Sequence, residues 1–326
     1  MNRAITKLQA VIVSVVIIVG VGAAGYFATG PPTTTTSTTT TLPPPQTTTT
    51  TTATTLPQPT TAKEVKIYFW DVGQGDSILI VTAEKTVLID AGPSSAGDVV
   101  VRRLWSLRIA VIDIVVATHN HADHIGGLIS VMSANFTIRS VLDNGQVSDT
   151  KTYADYIALA RKIRITIATR GDVYPLSQDA KMIIVNPAQP LEFANPNDNS
   201  VVLRLEAFQQ AVMLMGDCEE SCESSILRAG LNVQAKVLKV GHHGSRTSTS
   251  AAFLDAVNPS IAVISVGEGN QYGHLHPETL QKLQDRSIQF WRTDLSGSAI
   301  IVLAPMVTPS ISAFVAVLII AKDAMP

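Results

Sequence analysis

Cysteine is nearly absent from this chain: Cys218 and Cys222 are the only two among 326 residues. A disulfide framework needs more pairs at wider spacing, and a zinc ribbon or finger needs repeated Cys-x-x-Cys units, so both classes are excluded. The two cysteines are expected to be buried thiols. Charge is sparse as well, at 15% of residues with a net of −2. Arg3 and Lys7 are the only charged side chains before residue 63, which leaves the remainder with 22 basic against 26 acidic groups. A general nucleic-acid coat would be strongly basic, so any polynucleotide contact must be local to one site and helped by metal ions. Long apolar runs are missing too, apart from one at the N-terminus. The run Ile311 to Ala321 is only 11 residues long, too short to span a bilayer, and Pro305 and Pro309 interrupt its backward extension.

The N-terminal exception covers Leu8 to Ala28, 21 uncharged residues behind Arg3 and Lys7. At 1.5 Å per residue it reaches roughly 30 Å, the hydrocarbon thickness of a membrane. Its length exceeds the apolar region of most cleaved signal peptides, and the flanking positive charges should stay cytoplasmic. The expectation is a single-pass cell-membrane anchor over 1–30 with the rest of the chain extracytoplasmic; cleavage after Ala23, Ala24 or Ala28 is the alternative. From Pro31 to Ala62 the composition is almost wholly Thr and Pro, which has nothing to bury and cannot offset its ordering entropy. A disordered stalk is expected, reaching at most on the order of 100 Å in polyproline II form.

From 63 to 326 short β-rich runs alternate with amphipathic stretches, and one catalytic domain is expected. Strands are predicted at Val65–Phe69, Ser77–Val81, Thr86–Asp90, Ile112–Ala117, Met182–Val185, Val201–Leu205, Ala211–Met215, Lys236–Val240, Ile261–Val266 and Ala299–Leu303. Helices are predicted at Asp98–Ser106, Ile125–Met132, Tyr153–Lys162, Glu219–Arg228, Ser250–Ala256 and Pro277–Gln284. Antiparallel strands in two clusters with helices between them imply two packed sheets with helices outside, an α+β fold of the αββα sandwich type. Ala313 to Ile320 reads as a last strand or a short packed helix.

All seven histidines fall in three clusters: His119, His121 and His124; His242 and His243; His274 and His276. A structural histidine is usually solitary, so clustering at strand-end loops points to metal ligands. His119-Asn120-His121-Ala122-Asp123-His124 is the strongest signal, because four donors directly after a buried strand can serve two adjacent cations. Asp217, after Gly216 at the end of an apolar strand, is placed to reach between them; capping the following helix would occupy only one of its oxygens.

His119-x-His121-x-Asp123-His124 followed by Gly126-Gly127 resembles the signature of the metallo-β-lactamase superfamily. Phe69 to Ser77, Leu88 to Gly92, Asn197 to Ser200, Met215 to Asp217, Lys239 to Ser245 and Tyr272 to His274 are similar, in order, to the motifs of the hydrolase domain of ComEC-type competence proteins. The resemblance implies that His119 and His121 hold one cation, that Asp123, His124 and His274 hold the second, and that Asp217 bridges them. Asp90, Asp71 and Asp76 would orient ligands from behind. His243, with His242, is left for oxyanion stabilisation or leaving-group protonation, with Asp123 beside them in the catalytic set; the alternative makes His243 the ligand and leaves His274 outside. Ser245, Arg246 and Asn199 would contact a phosphate-bearing substrate.

One feature departs from the wider superfamily: no histidine occurs between 125 and 241, where another ligand is expected. Asp198 or Asn197 would supply oxygen there, which softens a preference for zinc and admits manganese. Two divalent ions, zinc first, would lower the pKa of water from 15.7 to about 7 and supply a hydroxide for attack. The resemblance implies a phosphodiester substrate, DNA foremost and single-stranded DNA in an uptake route within that, with a separate channel protein as partner and a monomeric enzyme. A phosphocholine or wall-polymer ester is the second reading, and a stalked metal-containing binding module without turnover is the third.

Overall fold

Alternation in the first strand, Val65–Phe69, decides how the domain is layered. Val65, Ile67 and Phe69 enter one apolar cluster and Tyr68 enters another, because successive side chains leave opposite faces of a strand. Both faces are therefore covered. This computed structural model describes residues 63–305 and the backbone of Val315–Leu318. The expected membrane anchor and stalk, residues 1–62, lie outside the described residues. Among those described, no helix is long and apolar enough to cross a membrane.

The first sheet has eight strands in the order Val315–Leu318, Ala299–Leu303, Val65–Phe69, Ile78–Val81, Thr86–Ile89, Ile114–Ala117, Val141–Asp143 and Ile165–Ile167. The second has seven, in the order Gln289–Arg292, Ile261–Ile264, Val237–Lys239, Gln210–Leu214, Val202–Ala207, Ala180–Asn186 and Val173–Ser177. One apolar cluster joins their facing sides, with Ile67, Phe69, Ile80 and Val116 from the first and Ile184, Leu203, Leu214 and Val263 from the second. The outer face of the first sheet packs on the helices Gly97–Ser106, Ala122–Ser133 and Lys151–Ala160 through Val100, Leu128 and Tyr156. The outer face of the second packs on Glu220–Arg228, Ala251–Val257 and Pro277–Asp285 through Ile226, Phe253 and Leu283. This is the αββα sandwich expected from the sequence.

The sheets are mixed rather than antiparallel throughout. Each has an antiparallel half and a parallel half: Thr86–Ile89, Ile114–Ala117, Val141–Asp143 and Ile165–Ile167 run parallel in one, and Gln210–Leu214 through Gln289–Arg292 in the other. The helices between consecutive strands are the crossovers that parallel pairing requires. Because those strands run the same way, the loops after Ile114–Ala117, Gln210–Leu214 and Val237–Lys239 carry His119, Asp217 and His243 respectively, at the carboxyl ends where ligands of α/β sheets ordinarily sit.

Two further expectations are corrected, and of the two readings of the C-terminal run the strand holds. The helix Ala122–Ser133 begins three residues before the expected Ile125, with His121 as its N-cap, so Asp123 and His124 lie in its first turn. Cys218 and Cys222 are joined in a disulfide rather than being free thiols, since Cys218 sits just before the helix Glu220–Arg228 and Cys222 lies in its first turn, with the two Cα atoms 5.5 Å apart. Val315–Leu318 is a strand, paired antiparallel with Ala299–Leu303.

Candidate metal centre

Two glycines let the histidine-bearing helix approach the sheet ends. A Cβ on Gly127 would collide with the carbonyl of Ala91, and one on Gly75, whose φ is +130°, would collide with the carbonyl of Asp123. The loop after Thr86–Ile89 is thereby held against the helix start, with Ala91 N–H donating to His124 O at 3.0 Å. Asp90, fully buried, accepts from Thr118 N–H at 2.9 Å and from the Thr118 hydroxyl at 2.6 Å, and binds His124 Nδ1 at 2.7 Å. A carboxylate on Nδ1 leaves Nε2 of His124 aimed into the cleft.

His243 is set in the same manner from the other sheet. His242 and His243 both have positive φ, 45° and 53°, which turns the chain sharply after Val240 and sends the His243 ring inward. Its Nδ1 lies 2.9 Å from Ser265 O and 3.5 Å from Asp76 Oδ1, so Nε2 again faces the cleft. There it lies 3.3 Å from His124 Nε2 and 3.4 Å from both Asp123 Oδ2 and Asp217 Oδ1. Asp217 Oδ2 lies 3.2 Å from His124 Nε2 and 3.7 Å from His119 Nε2, and His119 Nε2 lies 3.0 Å from His121 Nδ1. Three groups of potential ligands result: His119, His121 and Asp217, and Asp123, His124 and His243, which face the cleft, and Asp76, Asp90 and His124, whose carboxylates lie behind the histidine rings.

The chemistry of these donors fits cations. Two imidazoles, each anchored through Nδ1, point their Nε2 atoms at one another and at carboxylate oxygens, an arrangement that places lone pairs against lone pairs unless a positive charge sits among them. Without a metal ion the role falls to protons. Burial works against charge on His243, but Asp217 and the hydrogen bonds to Asp123 and Asp217 push its pKa up to about 9. His124 is likewise raised well above the ordinary histidine value, with the Asp217 and Asp90 carboxylates overriding burial. Burial would raise Asp217, yet the charges of His124 and His243 hold it well below the carboxylate range. His119 is the opposite case: burial and the neighbouring His124 hold its pKa well down, so it stays a neutral donor.

The remaining sequence-derived residues divide clearly. His242, His274, Asn197, Gln74 and Tyr272 join His121, Asp123, Asp217 and His243 around an open cavity of about 320 Å³. His274 therefore lies on the wall of the cavity, its ring centre 6.2 Å from that of His243, while His243 occupies the place beside Asp123 and His124. Asp76 lies behind His243 and forms an ion pair with Lys239 at 2.6 Å. Asp71 is used elsewhere: its Oδ1 accepts from Gly73 N–H at 3.1 Å in a turn. Asp198 is turned to the helix Glu220–Arg228, where Oδ1 accepts from Glu219 N–H and Cys222 N–H at 3.3 and 3.2 Å. Asn199 is fully buried and its amide is bonded to Gln146 and Phe193 at 2.9 and 2.6 Å, which ties down a loop. Ser245 is buried against Thr247, and Arg246 is exposed with its N–H donating to His276 Nδ1; neither lines the cavity. A larger cavity of about 550 Å³, bordered by Lys181, Arg204, Phe208 and Gln210, contains no histidine and lies away from these groups.

Two contributors escaped sequence reasoning. Lys239, fully buried, is a charged residue inside an apolar strand directly before the His242-His243 turn, and that contradiction of pattern was its signal. Glu219 accepts from Asn197 Nδ2 at 3.0 Å and sits 2.8 Å from His242 Nδ1; its position two residues after Asp217 was the available cue.

The metallo-beta-lactamase superfamily sequence model matches residues 70–268, a span that contains both cleft-facing ligand groups. The chain belongs to the metallo-β-lactamase superfamily. Within that superfamily it is related to competence proteins. It is 33% identical over 260 residues to ComE operon protein 3 of Bacillus subtilis, covering 74% of this chain and 33% of that protein. It is 31% identical over 246 residues to competence protein ComA of Neisseria gonorrhoeae, again covering 74% and 33%. The chain thus spans about a third of the length of these curated relatives. Among solved structures it resembles the metallo-beta-lactamase fold protein YhfI from Bacillus subtilis, with 10% identity, a TM-score of 0.47, and coverage of 72% of this chain and 99% of that one.

Proposed function

We propose that this superfamily member is an extracytoplasmic phosphodiesterase that cleaves DNA, with two divalent cations held by His119, His121 and Asp217 and by Asp123, His124 and His243, and Asp217 shared between them. The observation that carries the reading is the convergence of His124 Nε2, His243 Nε2 and both oxygens of Asp217 within 3.4 Å contacts on the floor of an open polar cavity. When bound, such cations supply Lewis-acid polarisation of a phosphoryl oxygen and activation of water. Zinc suits the imidazole-rich set, and manganese is the alternative where oxygen donors enter.

The protein's own groups do the remaining work. Asp90 and Ser265 O fix the rings of His124 and His243, so the donors need no rearrangement when substrate arrives. His242, His274 and Tyr272 line the mouth and would orient a phosphodiester across the floor. Burial and the neighbouring His242 and His243 hold the His274 pKa at about 4, which keeps that ring neutral and able to accept or donate one hydrogen bond.

Two features support DNA outside the membrane as the setting. The relatives at 31–33% identity are named as competence or ComE operon proteins, and a disulfide such as Cys218–Cys222 persists in oxidising compartments. The apolar run Leu8 to Ala28 would supply the membrane anchor, and a separate channel protein the route. The test is incubation of the full-length chain, with zinc or manganese, against single-stranded DNA and bis-nitrophenyl phosphate. Cleavage of both is expected. Cleavage of the small ester alone would move the substrate to a phosphocholine or wall-polymer linkage, and cleavage of neither would leave a metal-containing binding module.

A further inference from the structure

We infer that the amide oxygen of Asn197 is a donor to the cation held by His119, His121 and Asp217, filling the place of the histidine that is missing between 125 and 241. The inference rests on the two-cation reading above and assigns one more atom to it.

Asn197 opens the short 3-10 turn Asn197–Asn199 and is 7% exposed. Its backbone N–H is held by Asn195 Oδ1 at 3.1 Å, and its side-chain Nδ2 donates to Glu219 Oε1 at 3.0 Å. The orientation of the amide is fixed by chemistry, since a carboxylate oxygen only accepts and so must face the NH₂ end. Oδ1 is consequently held on the other side. It is buried and has no hydrogen-bond partner among the described residues, and Asn197 lines the same cavity as His121, Asp217 and His242. Buried acceptors are almost always satisfied, so an orphan on a residue that lines the same cavity as the ligand side chains His121 and Asp217 needs an explanation.

The nature of the missing partner follows from the atom. An amide oxygen has lone pairs and no proton, and phosphate oxygens are acceptors too, so the phosphate of a substrate cannot satisfy it. A divalent cation can, because carbonyl oxygen is an ordinary ligand for such ions. Asp198, the neighbouring oxygen donor, is already committed to Glu219 N–H and Cys222 N–H at the start of the helix Glu220–Arg228. Glu219 is then a positioning residue: the same carboxylate that anchors Asn197 Nδ2 also holds His242 Nδ1 at 2.8 Å, so one side chain sets two walls of the cavity.

The experiment is equilibrium titration of the full-length chain with zinc, alongside cobalt(II) as a spectroscopic probe of the ligand field. Two ions are expected to bind the unaltered protein. Losing even an outer partner of a metal ligand typically costs 10–100-fold in affinity, so Asn197→Ala should weaken one ion at least about tenfold and shift the cobalt absorption of that site. The second ion should bind as before, which shows in the same sample that the fold is intact. Asn197→Asp keeps an oxygen at the position and should recover most of the affinity. Unchanged binding of both ions to Asn197→Ala, equal weakening of both, or an alanine-like loss in Asn197→Asp would overturn the assignment while leaving the two-cation reading in place. Fewer than two ions on the unaltered protein would overturn both.

Discussion

A lysine without solvent contact has to be neutralised by its neighbours. Lys239 is such a residue, its ammonium 2.6 Å from Asp76 Oδ2 and 3.5 Å from Gly216 O, with Asp76 Oδ1 reaching on to His243. Removing one member of a buried pair leaves an uncompensated charge and typically costs ~3–5 kcal/mol. Lys239→Met is therefore expected to destabilise the fold by about that much in denaturant unfolding and to loosen His243, whereas Lys239→Met combined with Asp76→Leu should be milder. A second expectation concerns protons. In the metal-free chain the His243 pKa is raised from 6.5 to about 9 by Asp217 and Asp123. A raised histidine pKa stabilises the fold fully below its unfolded value, and that contribution is lost as pH climbs through the folded value. Melting temperature of the chelator-treated chain should thus fall between pH 6.5 and 9, while zinc affinity rises over the same window because the proton no longer competes. A flat affinity profile there would remove His243 from the ligand set. At this scale the sequence was generous where donors are neighbours, as in His119 to His124. It was ambiguous for His243 against His274, because the choice depends on the left-handed turn at His242 and His243, which no spacing announces.

Elements were legible in proportion to their burial. Val65–Phe69, Ala299–Leu303 and the six main helices stand out because one face of each is continuously apolar. The buried strand Val141–Asp143 was not foreseen because three residues are too few to show a period, and neither were the three edge strands Ile165–Ile167, Val173–Ser177 and Gln289–Arg292. Each is the last strand of its sheet, with partly open side chains and weak alternation, and one contains Pro175, which only an edge position tolerates. The parallel halves were hidden for a different reason: strand direction is set by connection length and packing, not by the composition of the strand itself. The seating of the helix Ala122–Ser133 is the step on which the ligand geometry depends, since Asp123 and His124 occupy its first turn. Gly127→Ala would force this helix off the Ala91 carbonyl and should cost about 1–3 kcal/mol, the range for overpacking, with a parallel loss of metal affinity. Retention of both stability and metal binding would show that the contact is dispensable.

For the molecule as a whole, two sheets supply the centre jointly: His119, His121, Asp123 and His124 follow a strand of one, Asp217 and His243 follow strands of the other. An ion there ties the two halves together, so ligand binding is coupled to global stability. At 100 times its dissociation constant one ion adds ~2.7 kcal/mol; chelation should lower the melting temperature, and readdition of zinc should restore it. Chelator that leaves the transition unmoved would argue against metal occupancy of the native fold. The Cys218–Cys222 bridge begins one residue after Asp217 and ends inside the helix that Asp198 caps. It also serves as a record of where each copy has been. A molecule folded and kept in a reducing interior is two hydrogen atoms heavier and, once denatured to expose its buried thiols, reacts with alkylating reagents at both sulfurs; one that has been in an oxidising compartment does neither. Intact mass measured on protein taken directly from its native cells would read off the side of the membrane on which the domain matures, without any assay of its activity.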